Sequence, residues 1–74
     1  MDQIQNQLHE ITQIEKLLKG NDVARLLNVS RSFAYLLMQT GHIPTVRLGR
    51  SIRVRPQDLV EYIEENIHRE TDHP

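Results

Sequence analysis

DVARLLNVSRS, residues 22–32, is the stretch that decides the fold. Its first apolar residues recur at the three- and four-residue spacing of one helix face. They are Val23, Leu26 and Leu27. Asn28 tolerates the left-handed backbone conformation that often ends a helix. Ser30 is a good N-cap, because its hydroxyl can accept a hydrogen bond from a backbone N–H of the first helical turn. The stretch therefore predicts a short helix over 22–27, after a break at 19–21, and a second helix that starts at Ser30 after a turn of about three residues.

The second predicted helix extends from Ser30 until Gly41 ends it, and its side chains divide between two faces. The apolar face is formed by Ala34, Leu37 and Met38. The other face carries Arg31, Ser32 and Tyr35.

A β-hairpin is predicted downstream, because residues 45–48 and 52–55 both alternate apolar with polar or basic side chains. Gly49-Arg50-Ser51 separates them as a turn, with a glycine to adopt positive φ. At a period of two, one face is expected to hold core residues. These are Val46, Leu48, Ile52 and Val54. The other face is expected to form one ridge of arginines, comprising Arg47, Arg53 and Arg55, with Arg50 at the tip.

Two further helices are expected to flank this unit. Pro56 suits the first position of a closing helix, and Asp58 favours the positive N-terminal dipole of that helix. Its inner stripe is Leu59, Ile63 and Ile67, beside Tyr62.

Residues 1–18 form an amphipathic helix candidate with apolar side chains within an arc of about 120°. These are Ile4, Leu8, Ile11, Ile14 and Leu18. Packing on its own domain, pairing with a second copy and fraying in solution all remain open for this segment.

The composition excludes several classes of protein. The chain has 74 residues and no cysteine, which allows one small domain without disulfides or thiolate zinc sites. Its longest apolar run, residues 33–38, is too short to cross a membrane. The four histidines, His9, His42, His68 and His73, are not at metal-binding spacing. We therefore expect a soluble, cytoplasmic protein that is not an enzyme and has no membrane partner, metal or cofactor.

The net charge of −1 hides a strong asymmetry along the chain. Residues 1–18 carry −2, residues 19–55 carry +6 and residues 56–74 carry −5. A localised basic patch is the usual footprint of a phosphate-binding surface, with scattered solvated arginines as the alternative.

Two short helices, a basic hairpin and a packing helix together describe a winged helix-turn-helix, mainly α with a small β-hairpin. Residues 17–67 resemble the excisionase-like and AlpA-like family of small winged-helix proteins, related to the DNA-binding domain of MerR regulators. The motifs that carry the resemblance are DVARLLNVSRS, TGHIPTVRLGRSIRV and PQDLVEYI. The domain is expected to span 19–68, between an N-terminal amphipathic segment over 1–18 and a disordered tail over 69–74.

Four positions depart from the family pattern. Leu36 and Gln39 stand where members usually carry basic residues, so the second helix is less basic than expected. Lys19 replaces a Ser or Thr cap, and Phe33 replaces a smaller polar residue.

The resemblance implies a protein that binds specific double-stranded DNA. Its role would be that of an architectural factor that sets the direction of recombination, or of a small transcription regulator of a mobile element. The implied partners are duplex DNA, an integrase or another recombination or transcription protein, and further copies placed head-to-tail on the DNA. The unequal charge of the two ends also favours head-to-tail copies over a symmetric dimer through residues 4–18.

The start of the second helix is expected to contact base edges in the major groove, where Arg can pair bidentately with guanine. Wing arginines would lie over the backbone or enter the minor groove. The candidate DNA-binding residues are Ser30, Arg31, Ser32, Tyr35, Gln39, Arg47, Arg50, Arg53 and Arg55. Three of them also have a purely structural interpretation: Ser30 as a cap, Tyr35 as half-buried core, and Arg55 as an ion partner of Asp58 or Glu61.

A protein-interaction module with the same fold is the alternative function. It would dock on a partner through the helix over 4–18, together with Phe33 and Leu36, whose apolar side chains are expected to be exposed. Salt-dependent binding to DNA distinguishes the two hypotheses.

Overall fold

The computed structural model describes residues 3–67, which form four helices and one two-stranded antiparallel hairpin. In chain order the elements are α1 (Gln3–Thr12), α2 (Gly20–Leu27), α3 (Arg31–Gln39), β1 (Val46–Leu48), β2 (Ser51–Arg53) and α4 (Pro56–Glu65). The predicted winged helix-turn-helix with an additional N-terminal helix is confirmed. The predicted tail, 69–74, lies outside the described residues. Over 3–67, no helix combines the length and apolar character needed to cross a bilayer.

The helix-turn-helix forms as its local signals predict. Asn28 ends α2 in the left-handed conformation, with φ of 60°, and the Ser30 hydroxyl accepts the Phe33 amide at 3.1 Å. The start of α2 differs from the prediction, because the helix begins at Gly20 rather than Asp22. The backbone N–H of Lys19 donates to the Asp22 carboxylate at 2.9 Å, which satisfies an amide at the helix start. Residues 20 and 21 therefore belong to the first turn.

The N-terminal segment packs on its own domain, one of the three arrangements left open by the sequence. Leu8 and Ile11 are buried, α1 packs against α4, and the Gln7 side-chain amide donates to the Leu26 carbonyl. The predicted helix over 1–18 is wrong beyond Thr12. Leu18 is extended and exchanges backbone hydrogen bonds with Val54, at 2.8 and 2.9 Å. The Leu18 side chain is therefore buried next to the hairpin, on an extended segment and not on a helix.

The core lies between α1, the helix pair α2–α3, the base of the hairpin and α4. Its buried residues are Leu8, Ile11, Leu18, Val23, Ala24, Leu26, Ala34, Leu37, Met38, Ile43, Val54, Leu59 and Ile63. Leu27 and Ile52, expected on core faces, are only partly buried against it, as is Val29. The N-terminal segment thus contributes core residues that the helix-turn-helix pattern does not include.

The hairpin has a different register from the predicted one. Its turn contains two residues, Gly49 and Arg50, and Ser51 is already paired with Leu48. Gly49 has φ of 64°, as predicted for the turn glycine. Because side chains alternate at every residue, shortening the turn by one residue moves the second strand's side chains to the opposite face.

Candidate DNA interface

The exposed face of α3 brings together four of the predicted site residues. Ala34, Leu37 and Met38 are buried on the opposite face. Arg31, Ser32, Tyr35 and Gln39 are all exposed, and at 100° per residue they fall within an arc of about 100°. The structure therefore presents one continuous polar surface along the helix, beginning with an arginine at its N-terminus.

Ser30 lies immediately before this surface and caps α3. Its Oγ accepts the Phe33 amide, as in the structural interpretation of this residue. A hydroxyl also has one proton to donate, so capping leaves Ser30 able to donate to an external oxygen. The two interpretations of Ser30 are compatible.

Tyr35 connects the exposed face of α3 to the start of α2. A Cβ atom added to Gly20 would lie 2.7 Å from both Cε atoms of the Tyr35 ring, so the ring packs directly on the glycine backbone. Tyr35 is nevertheless exposed. Its ring lies against Gly20, a residue that the sequence analysis treated only as part of a helix break. The acidic side chain of Asp22 was the signal that could have placed Gly20 inside α2, because an acidic residue at the third helical position can accept the backbone N–H of the N-cap residue.

The hairpin does not carry its arginines on one ridge, which corrects the prediction. Cross-strand partners share a face, and the pairs are Val46 with Arg53, Arg47 with Ile52, and Leu48 with Ser51. Arg47 and Arg53 therefore lie on opposite faces. For the same reason Val46 and Leu48 do not share a core face with Ile52 and Val54, and Leu48 is 51% exposed.

The wing arginines also differ in exposure. Arg47 and Arg50 are exposed, with Arg50 in the turn. Arg53 is half-buried, and its Nη1 donates to the Ile52 carbonyl at 3.0 Å. Arg47 and Arg50 are consequently the more accessible cations of the hairpin.

Arg55 pairs with Asp58, the simpler of its two interpretations. Its Nε and Nη2 donate to the two carboxylate oxygens at 2.7 and 2.9 Å. The Asp58 side chain is 7% exposed and that of Arg55 is 59% exposed. These hydrogen bonds raise the pKa of the Arg55 guanidinium. Arg55 is the N-cap of α4, and its charge is already compensated at the base of the wing.

Asp22 and Arg25 form a second ion pair, at 3.3 Å, on α2. The hydrogen bond from the Lys19 amide lowers the pKa of the Asp22 carboxyl, and Arg25 lowers it further against the opposing effect of partial burial. The carboxylate therefore stays charged at the positive end of α2.

An apolar groove of about 450 Å³ lies beside the exposed face of α3. Its lining includes Ile4, Leu27, Val29, Phe33, Tyr62 and Ile67. Phe33 and Ile4 thus border the same groove, as the docking hypothesis requires, but Leu36, its third component, does not line the groove. The apolar stripe of the N-terminal segment is not free, however, because Leu8 and Ile11 are already buried in the core.

Residues 17–67 match a family model described as a helix-turn-helix domain. The chain belongs to this helix-turn-helix family. The resemblance predicted from the motifs is thereby confirmed.

Two curated relatives from Mycobacterium tuberculosis are each 39% identical to the chain over 49 residues. They are named "Putative DNA-binding protein MT0521", from strain CDC 1551 / Oshkosh, and "Putative DNA-binding protein Rv0500A", from strain H37Rv. The match covers 66% of this chain and 63% of each relative's length. No solved structure matches the chain significantly.

Proposed function

We propose that this helix-turn-helix protein binds specific double-stranded DNA with α3 in the major groove and the hairpin beside it. The observation that carries the proposal is the capped, exposed face of α3, whose opposite face is buried against α2. A helix of this kind fits the major groove with its N-terminal residues at the base edges. The names of the two relatives, which also refer to DNA binding, support it.

Each residue of the α3 face has a proposed role. Arg31 pairs bidentately with a guanine, and Ser32 reaches an adjacent base edge. Ser30 and Tyr35 donate to phosphates and fix the position of the helix. Gln39, two turns beyond Arg31, contacts the DNA from the far end of the same face.

The hairpin acts as the wing. Arg50 at its tip and Arg47 beside it contact the backbone or enter the minor groove, where narrow A·T tracts attract arginine. Arg53 contributes less, because it is half-buried and on the opposite face from Arg47. Arg55 contributes indirectly, by holding Asp58 at the start of α4.

Salt-dependent binding to duplex DNA tests the proposal. With about four to six phosphate contacts, the logarithm of affinity should fall with the logarithm of salt at a slope of about −4 to −5. Arg47→Gln and Arg50→Gln should each reduce the magnitude of the slope by about 1 on all sequences. Arg25→Gln is the matched control, because it removes the same charge from an exposed arginine paired within α2. Absence of duplex binding at low salt, or equal slopes for the control and the wing variants, refutes the proposal.

Sequence readout requires a separate test on Arg31. One bidentate contact is worth about 1–3 kcal/mol of discrimination between bases. Arg31→Ala should therefore lose more affinity on a selected site than on random duplex. An equal loss on both would identify Arg31 as a phosphate contact.

The cellular role we propose is non-catalytic: an architectural factor for recombination, or a small transcription regulator of a mobile element, acting with an integrase or another DNA-bound protein. One recognition helix and one wing discriminate poorly among about 10⁶ or more genomic sites, so several copies act together. Glu61, Glu64 and Glu65 are exposed on α4. This acidic face would meet the basic wing of the next copy in a head-to-tail array.

Footprinting combined with sedimentation tests this arrangement. A monomer in free solution that loads cooperatively on direct repeats supports it. Inverted half-sites, together with a stable dimer that is lost on Ile4→Glu, contradict it.

A further inference from the structure

Leu36 is an exposed apolar residue that borders the polar surface of α3. Its neighbours one turn away on the helix surface are the polar Ser32 and Gln39 on one side, and the exposed Phe33 on the other side. Leu36 is 51% exposed, although α3 buries three other apolar side chains on its opposite face. Its position therefore places an aliphatic side chain at the edge of the polar surface proposed to face DNA, next to Ser32.

The major groove contains one apolar group that such a side chain can contact. Thymine carries a C5-methyl there, whereas the other exposed base edges present donors and acceptors. The minor groove has no equivalent group, so an apolar contact of this kind belongs to the recognition helix and not to the wing.

We propose that Leu36 contacts the C5-methyl of a thymine and thereby determines part of the sequence preference. The inference rests on the proposed function, because it requires α3 to lie in the major groove. At 1.5 Å per residue, Leu36 lies about 7.5 Å along the helix from Arg31. Base pairs are spaced by about 3.4 Å. The thymine is therefore about two base pairs from the guanine that Arg31 contacts.

Selection of bound sites from random duplexes is the first test. The unaltered protein should select a thymine about two base pairs from the base whose preference is lost in Arg31→Ala. Leu36→Ala should lose the preference for that thymine and keep the others. Leu48→Ala is the matched control, because Leu48 is also a leucine with 51% exposure but lies in the hairpin. It should select the same site as the unaltered protein.

Replacement of that thymine by deoxyuridine is the second test, because it removes only the methyl group from the major groove. Burial of one methyl corresponds to about a fourfold change in affinity. The affinity of the unaltered protein and of Leu48→Ala should be about fourfold lower for the deoxyuridine duplex than for the thymine duplex. Leu36→Met should show most of the same decrease, because its side chain is also apolar and of similar size. Leu36→Ala should bind both duplexes with equal affinity.

The outcomes separate this inference from the proposed function. If Leu36→Ala still prefers the thymine over deoxyuridine, or if no thymine is selected near the guanine, the inference is wrong while DNA binding stands. In that case Leu36 is left as surface for a protein partner. If no duplex binds with salt dependence, the proposed function fails and the inference fails with it.

Discussion

Ile11→Ala is expected to be among the most damaging single truncations in the chain, although Ile11 lies outside the helix-turn-helix. The Ile11 side chain is fully buried, and α1 packs against α4. Removing three carbon groups at about 0.8 kcal/mol each costs about 2.4 kcal/mol in transfer free energy, before any cavity is counted. Including the cavity, the expected range is about 2–5 kcal/mol. A domain of 74 residues has a total stability of only about 4–11 kcal/mol.

Urea denaturation followed by circular dichroism measures this loss. Ile4→Ala is the matched control, since Ile4 is on the same helix but 37% exposed, and it should cost about half as much or less. At a temperature where both variants are folded, duplex affinity should be unchanged, because Ile11 belongs to no part of the proposed interface. A cost below about 0.5 kcal/mol for Ile11→Ala, or equal costs for the two variants, would show that α1 does not pack as described.

Three further predictions concern polar and glycine positions. Arg55→Ala should lower the urea midpoint of unfolding, because the buried Asp58 carboxylate loses two hydrogen bonds. Unchanged denaturation with weaker DNA binding would make Arg55 a phosphate contact instead. Gly20→Ala should change stability by less than about 1 kcal/mol, because better helix propensity offsets displacement of the Tyr35 ring, yet weaken DNA binding. In a Tyr35→Ala background that weakening should vanish, and additive losses would contradict the packing. Asp22→Asn should cost about 0.3–1 kcal/mol near neutral pH. Folding lowers the pKa of Asp22, so the stability difference between the unaltered protein and Asp22→Asn is complete above the unfolded pKa near 3.8. This difference disappears as the pH falls through the folded pKa. Urea titrations at successive pH values measure it.

The helix-turn-helix could be predicted because its determinants are local. Asn28 and Ser30 act within a few residues of the helix ends that they stop and start, so their chemistry is visible in the sequence. The exposed face of α3 follows from helix geometry once those ends are known. Pro56 at the first position of α4 is predictable for the same reason.

The end of α1 could not be predicted in this way. Leu18 continues the apolar spacing of the N-terminal helix, so its periodicity favours a helix. Its backbone instead pairs with Val54, which is 36 residues later in the sequence. A partner at that distance leaves no periodic signal near Leu18, and tertiary pairing decides the conformation.

The pairing register of the hairpin strands could not be predicted, because the same sequence is compatible with two turn lengths. Gly49-Arg50 and Gly49-Arg50-Ser51 both supply a glycine for positive φ, yet they assign Ile52 and Arg53 to opposite faces. The alternation in the sequence favours the longer turn, which puts the apolar residues of both strands on one face. In the structure both faces of the short strands are partly buried, so this alternation does not determine the register.

The positions of the arginines in the fold narrow the salt dependence expected for DNA binding. Of the six arginines in the basic middle, Arg25 and Arg55 are engaged by carboxylates. The other four are on α3 and the wing, and within residues 3–67 none of these four pairs with an acidic side chain; they are Arg31, Arg47, Arg50 and Arg53. Because compensated charges release few counterions from DNA, the +6 of residues 19–55 overstates the effective contact charge. The salt slope is therefore expected nearer −4 than −6, even if the whole basic middle approaches the duplex.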